Sequence, residues 1–153
     1  MFEALLLVSA THCTFQGEEI KVDSKVDCKR ELLVKEAKAK KKEHPQYVLG
    51  ADGPNTFDCS GFTMWTYRQI GKELPHFSGA QMDRGQPVHK KKNLKKGDLL
   101  FFGPGGSTHV SMYIGNGKMI HTSSSGNDIG IDNINESWYK QRYAGARRYL
   151  SGN

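Results

Sequence analysis

The chain is expected to fold as a single α+β domain, on three observations. The two long segments with helical spacing lie in the first half, at residues 31–42 and 59–70. Strand-like segments fill the second half from residue 98 onward, with a Gly115-Asn116-Gly117 hairpin turn among them. No repeat or low-complexity linker divides the 153 residues, a length sufficient for one core. Helices first and antiparallel strands second is the α+β arrangement.

The elements follow in order. Thr14-Phe15 and residues 19–22 suit short strands. Residues 31–42 (ELLVKEAKAKKK) are strong helix formers, with Leu32, Leu33, Glu36 and Ala37 on one apolar-leaning face, and Pro45 stops the helix. Residues 46–57 form a loop carrying Gly50, Gly53 and Pro54. A second helix is expected from Cys59 to about Ile70, capped by Asp58 and ended by Gly71. Ser78 is expected to cap a further short turn running to Arg84, and residues 87–96 to form a basic extended loop. Residues 98–102 (DLLFF) make a continuous apolar run suited to a buried strand. Residues 103–107 are glycine-rich but lack the lysine and following helix of a phosphate-binding loop, so they read as a turn. In residues 109–114, Val110, Met112 and Ile114 share one face while His109, Ser111 and Tyr113 share the other. Residues 118–123 return, 129–134 add a strand, 136–141 a short helical segment, and 143–150 close the sheet.

The net charge of +6 is concentrated in two lysine-rich runs, residues 35–42 and 90–96. Such runs are usually solvated faces, and they favour an anionic partner. Without interleaved aromatics or a nucleic-acid motif, an acidic polymer such as a bacterial wall ranks above nucleic acid. Cys13 and Cys28, if paired, would close a loop contributing roughly 3 kcal/mol and leave Cys59 as the free thiol; three reduced thiols fit the sequence equally. Residues 1–10 hold a short apolar core before Val8-Ser9-Ala10, a weak secretion signal because Glu3 stands where a basic residue belongs. The segment is too short to span a membrane. Secretion is the localisation expected, and residues 1–30 are expected to be an extension ahead of a catalytic domain at residues 31–153.

Cys59, directly after Asp58, falls in the first turn of a helix, where unpaired amides and the macrodipole favour a thiolate. A buried, inert cysteine fits the same position. A nucleophilic thiol needs a base and a group that orients the base. His12, His44 and His76 lie in loop contexts and His89 in the basic loop, whereas His109 and His121 both fall on the hairpin. A three-residue turn sets Ser111 opposite His121, leaving His109 diagonal to it on the same face, roughly 7–8 Å away at the backbone. A two-residue turn would put the histidines on opposite faces. His109 then serves as base and His121 as its orienter. Two structural histidines, or a Cys-His-His metal site without the close spacing of most zinc sites, are the other readings.

The segments FDCSGF, GDLLFF, HVSMYIGNGKMIHTSSSG and GARRYL, in that order and spacing, resemble the NlpC-type cell-wall cysteine peptidases over residues 31–150. The resemblance implies a papain-like α+β fold and hydrolysis of peptidoglycan stem peptides between γ-D-glutamate and diaminopimelate or lysine, without metal or cofactor. It assigns the nucleophile to Cys59, the base to His109 and the third polar residue to His121. Tyr47 with amides near Cys59 would stabilise the oxyanion, and Asp58 and Ser60 would help bind the stem peptide. The partner the resemblance implies is bacterial peptidoglycan peptides; the sequence does not set the oligomeric state, and a monomer is the default expectation. A silent wall-binding or tail-associated module, and an amidase or acyltransferase on the same dyad, are the rivals. Departures lie around the tyrosine, where Glu-His-Pro-Gln precedes Tyr47 and Gly50-Ala51-Asp52-Gly53 follows.

Overall fold

The computed structural model describes residues 12–106 and 108–150. The weak secretion signal at residues 1–10 lies outside them. The described chain is the α+β arrangement expected, with a six-stranded antiparallel sheet as its spine.

A hairpin of β1 (His12–Phe15) and β2 (Glu18–Lys21) comes first, turning at Gln16 and Gly17 with φ of 50° and 84°. Helix α1 then runs Lys25–Lys41. It begins earlier than the expected residue 31 because Ser24 caps it: the Ser24 hydroxyl accepts the Asp27 amide at 3.0 Å, and Asp27 places negative charge in the first turn. The helix therefore runs through residue 30, where the sequence placed a domain boundary. Its buried face is Val26, Leu33, Val34 and Ala37, with Lys40 laid over the Trp65 ring and paired to Glu43 at 2.8 Å. Cys13 and Cys28 are free thiols buried with Val22, Cys13 Sγ lying 4.0 Å from the Cys28 carbonyl.

Two short strands, β3 (Gln46–Tyr47) and β4 (Thr56–Phe57), pair parallel ahead of α2 (Cys59–Arg68). Helix α3 spans Ser78–Arg84. Ser78 does not cap it: the residue before it is Phe77, at φ 66°, and Ser78 is a buried first-turn residue. The expected basic loop contains β5 (Gln86–Val88) and a 3-10 turn at Lys91–Asn93. The strands β6 (Leu99–Phe102), β7 (His109–Gly115), β8 (Lys118–Ser123) and β9 (Asp128–Asn133) follow. Helix α4 (Ser137–Arg142) leads into β10 (Tyr143–Arg148). The sheet order is β5-β10-β6-β7-β8-β9.

Both faces of the sheet are covered, which is why residues 99–102 are apolar without alternation. Val110, Met112, Ile114 and Ile120 pack with Phe57, Phe62, Leu33 and Ala37 of the helical layer. Leu100, Phe102, Met119 and Ala146 pack on the other side against Tyr113, Tyr139 and Tyr143. Each fully buried large side chain of this kind contributes on the order of 1.5–3 kcal/mol.

The β7–β8 turn differs from the three-residue loop expected. Asn116 and Gly117 form a two-residue turn with φ of 53° and 73°, and Gly115 pairs with Lys118. The register shifts between Tyr113 and Gly115, so Ile114 is the extra residue of a bulge. Beyond it, Tyr113 faces Met119 and Met112 faces Ile120. That is the register a three-residue loop would have set, and His109 and His121 keep the same face.

Helix α2 approaches the 50s loop so closely that Gly61 admits no side chain. A Cβ there would lie 2.0 Å from the Ala51 carbonyl oxygen, which already accepts the Asp58 amide at 2.9 Å. Gly61→Ala is expected to lower stability by about 3 kcal/mol or more, read as the denaturant midpoint against wild type. An unchanged midpoint would contradict this packing.

Candidate active site

Asp58 is the N-cap of α2. Its Oδ1 accepts the Gly61 amide at 2.7 Å, the Ser60 hydroxyl at 3.3 Å and His76 Nε2 at 3.1 Å, while Oδ2 accepts the Gly50 amide at 2.8 Å. His76, in the loop expected, is thus tied to the helix start, and its ring stacks on Phe77. The Ser60 hydroxyl accepts the Phe77 amide at 3.1 Å. Gln81 closes the network by donating to the carbonyls of Ser60 and Pro75 and accepting from Thr63. Asp58 and Ser60 are 4% and 3% exposed, with their polar atoms turned into this framework. Neither is among the residues that line the cleft described next.

Cys59 opens α2 and faces a cleft of about 460 Å³, shared with Tyr47, His109, His121, Trp138 and Tyr139. Ser123, Ser124 and Ser125 line its far wall. Burial pushes the Cys59 thiol up from its usual value, against the Val110 amide. The Asp58 charge pushes it further, against the amides of Ser60 and Cys59 itself. The sequence expectation of a thiolate favoured by the helix start is therefore reversed: desolvation outweighs the amides. Tyr47 reaches the cleft from β3, its amide donating to Asn127 Oδ1 at 3.0 Å. Burial, then the neighbouring Cys59 and Asp58, raise its hydroxyl.

His109 and His121 meet as the register demands. His109 Nε2 lies 2.8 Å from His121 Nδ1, the rings nearly perpendicular with centroids 4.9 Å apart. Burial first, then His121, pull His109 down from 6.5 to about 3, opposed by Asp132. A neutral thiol beside a neutral imidazole is the resting pair that burial favours. With Nε2 engaged by His121, the nitrogen His109 has left for an incoming proton is Nδ1. A thiol proton passing to Nδ1 yields the thiolate nucleophile and an imidazolium braced by His121. Among the described residues, no group of three or more His, Cys, Asp or Glu side chains is disposed to hold a metal ion.

Two neighbours escaped the sequence reading. Asp132 Oδ2 sits 2.7 Å from His121 Nε2, and the Tyr139 hydroxyl donates to the same oxygen at 3.2 Å. The signal for Asp132 was present: once His121 pairs with Gly130, period-two alternation puts Asp132 on the same face. Tyr139 gave none, since its approach depends on how α4 folds back over the sheet.

The NlpC/P60 family model matches residues 44–148. Over 108 residues the chain is 47% identical to a gamma-D-glutamyl-L-lysine dipeptidyl-peptidase of Bacillus cereus, a match covering 68% of this chain and 32% of that protein. It is 43% identical over 108 residues to murein DD-endopeptidase MepS/murein LD-carboxypeptidase of Escherichia coli, covering 69% of this chain and 56% of that one. The crystal structure of an NlpC/P60 family protein from Bacillus cereus superposes with a TM-score of 0.71 at 38% identity. It covers 80% of this chain and 40% of that chain. The chain thus spans from about a third to somewhat over half the length of these relatives.

The depressed basicity of His109 has a consequence for stability. The unfolded chain takes up a proton here below pH 6.5, and the folded chain refuses it until about pH 3, so stability falls as pH drops through that window. Between about pH 7 and pH 4, the thermal midpoint of wild type is expected to fall further than that of His109→Gln, which takes up no proton. Parallel curves would show that His109 carries no such penalty.

Proposed function

The chain belongs to the NlpC/P60 family, and on that premise we propose that it is a cysteine peptidase of bacterial peptidoglycan. The bond we assign is that between γ-D-glutamate and diaminopimelate or lysine in the stem peptide. The name carried by the Bacillus cereus relative supports that bond, whereas the Escherichia coli relative is named for other murein bonds. The catalytic unit is residues 31–153, with the preceding hairpin an extension packed on α1. It acts as a monomer outside the cytoplasmic membrane, where the polymer lies. Among the described residues, no helix is long and apolar enough to cross a membrane.

The observation that carries the reading is the convergence of Cys59, His109 and His121 in one cleft, with His109 Nε2 held by His121 Nδ1 at 2.8 Å. His109 Nδ1 takes the Cys59 proton as sulfur attacks the scissile carbonyl. The developing oxyanion is met by amides at the start of α2 and by the Tyr47 hydroxyl. His109 returns the proton to the departing amine, leaving an acyl-enzyme on Cys59. Water, deprotonated by the same imidazole, then frees the γ-D-glutamyl carboxylate and restores the thiol. No step calls for a metal or cofactor. Asp58 and Ser60 support this sequence by fixing the α2 start and the loop bearing Tyr47; the stem peptide is bound by the cleft walls.

Digestion of purified peptidoglycan, with mass spectrometry of the soluble products, tests the proposal. Wild type is expected to release fragments ending at γ-D-glutamate and to expose a new amine on diaminopimelate or lysine. Cys59→Ala is expected to fold and release none, and His109→Ala to lose about 100-fold or more in rate. Products freed at the sugar-linked L-alanine would instead mark an amidase, and transfer to an added amine an acyltransferase. Fragments from Cys59→Ala, or none from wild type, would overturn the assignment, the latter in favour of a silent wall-binding module.

A further inference from the structure

His121 has two ring nitrogens, and the second is as firmly engaged as the first. The residue is 4% exposed, and its Nε2 lies 2.7 Å from Asp132 Oδ2. Tyr139 donates its hydroxyl to that same oxygen and lies 3.4 Å from Nε2, so the carboxylate is held from a second side. Strand β9 delivers Asp132 by register, since His121 faces Gly130 and the next residue on that face is Asp132. We propose that Asp132 is a positioning residue for the Cys59–His109 proton transfer, its charge fixing the tautomers of both histidines and stabilising the imidazolium that forms. The identity of nucleophile and base rests on the function proposed above.

The directions of the hydrogen bonds carry the argument. An ionised carboxylate only accepts. His121 must then donate from Nε2, which makes its Nδ1 an acceptor. His109 must donate from Nε2 to that Nδ1, which leaves the lone pair of His109 Nδ1 for the thiol proton. With a neutral group at residue 132, His121 is free to carry its proton on Nδ1. His109 Nε2 would then accept, Nδ1 would carry the proton, and the base would be lost. One carboxylate at the end of the chain of bonds therefore decides whether His109 Nδ1 holds a lone pair or a proton.

Charge acts in the same direction. The groups facing Asp132 are His121 from β8 and Tyr139 from α4, with His109 of β7 and Cys59 of α2 beyond them. Glu136, at the start of α4, faces Tyr139. Among the described residues, Asp132 makes its one ion pair with His121. The Asp132 charge favours the protonated form of His109, opposing the burial that disfavours it. The reacting state, a thiolate beside an imidazolium, is thereby populated more than the buried pair alone would allow.

The test is the pH profile of Cys59 alkylation by iodoacetamide on the full chain, with labelled peptides resolved by mass spectrometry. The reagent reports the thiolate. In Asp132→Asn the rate at about pH 6.5 is expected to fall about tenfold, the scale of one charge removed at partly screened distance. The deficit should shrink as pH rises and the thiol comes to ionise without the imidazole. Asp132→Ser, a second neutral replacement, carries the same test if the amide perturbs folding, which labelling of the buried Cys13 and Cys28 would reveal. Profiles that superimpose on wild type, or a slowing equal at every pH, overturn the proposal, the second by reducing Asp132 to a packing role. Alkylation needs no peptidoglycan, so failure here and failure of the hydrolysis are read separately.

Discussion

The buried carboxylate of Asp58 is the constraint on which the site depends. A charge this enclosed survives because its oxygens are met by the amides of Gly61 and Gly50, the Ser60 hydroxyl and the His76 ring, at the positive end of a helix. Those bonds join three separate stretches of chain: the 50s loop after Tyr47, the first turn of α2, and the segment ahead of α3. The cleft is therefore fixed from below. The same charge works against ionisation of Cys59, adding to the burial that keeps its thiol protonated. Rigidity at the helix start and easy ionisation of the thiol are in conflict here, and the sheet supplies the remedy.

That remedy is a line of acceptors and donors laid across adjacent strands. His109 on β7, His121 on β8 and Asp132 on β9 are brought together by ladder register, not by neighbourhood in sequence. Sheet geometry gives each imidazole a partner on the side away from its task, and it holds the rings without flexible loops. The rings of Phe102 and Tyr139 pack against them and help bury them. This lowers the basicity of His109 and strengthens every bond in the line.

Much of this was legible in the residues, for identifiable reasons. The helix at Cys59 was visible because Asp58 is a good cap and Phe62 and Trp65 follow at helical spacing. The strands around the 115–117 turn were visible because alternation and turn chemistry agree. The early start of α1 was hidden because residues 25–30 mix charged and apolar types and only Ser24 announces the helix. The Ile114 bulge was hidden because an extra residue in a strand leaves no mark in composition. Its effect on register equals that of a longer turn, so the faces of the histidines came out right by a different route. Asp58 and Ser60, carried onto the substrate by family resemblance, have their polar atoms bonded within the network around the helix start. Cys13 and Cys28 share one buried cluster as free thiols, not as the disulfide that was one of the two readings of the sequence.

The place of β10 has a consequence for how the protein comes into being. This strand, the last element in the described chain, lies between β5 and β6 and so fills the interior of the sheet. During synthesis, β6 to β9 find their partners among immediate neighbours, while Leu99–Phe102 presents an apolar edge with nothing to pair it. That edge stays open until residues 143–148 have left the ribosome, and only then is β5 joined to the rest. Final closure waits on contacts between segments far apart in sequence, which form slowly. The sheet therefore cannot be completed before residues 143–148 have been made, because β5 reaches the other strands only through β10.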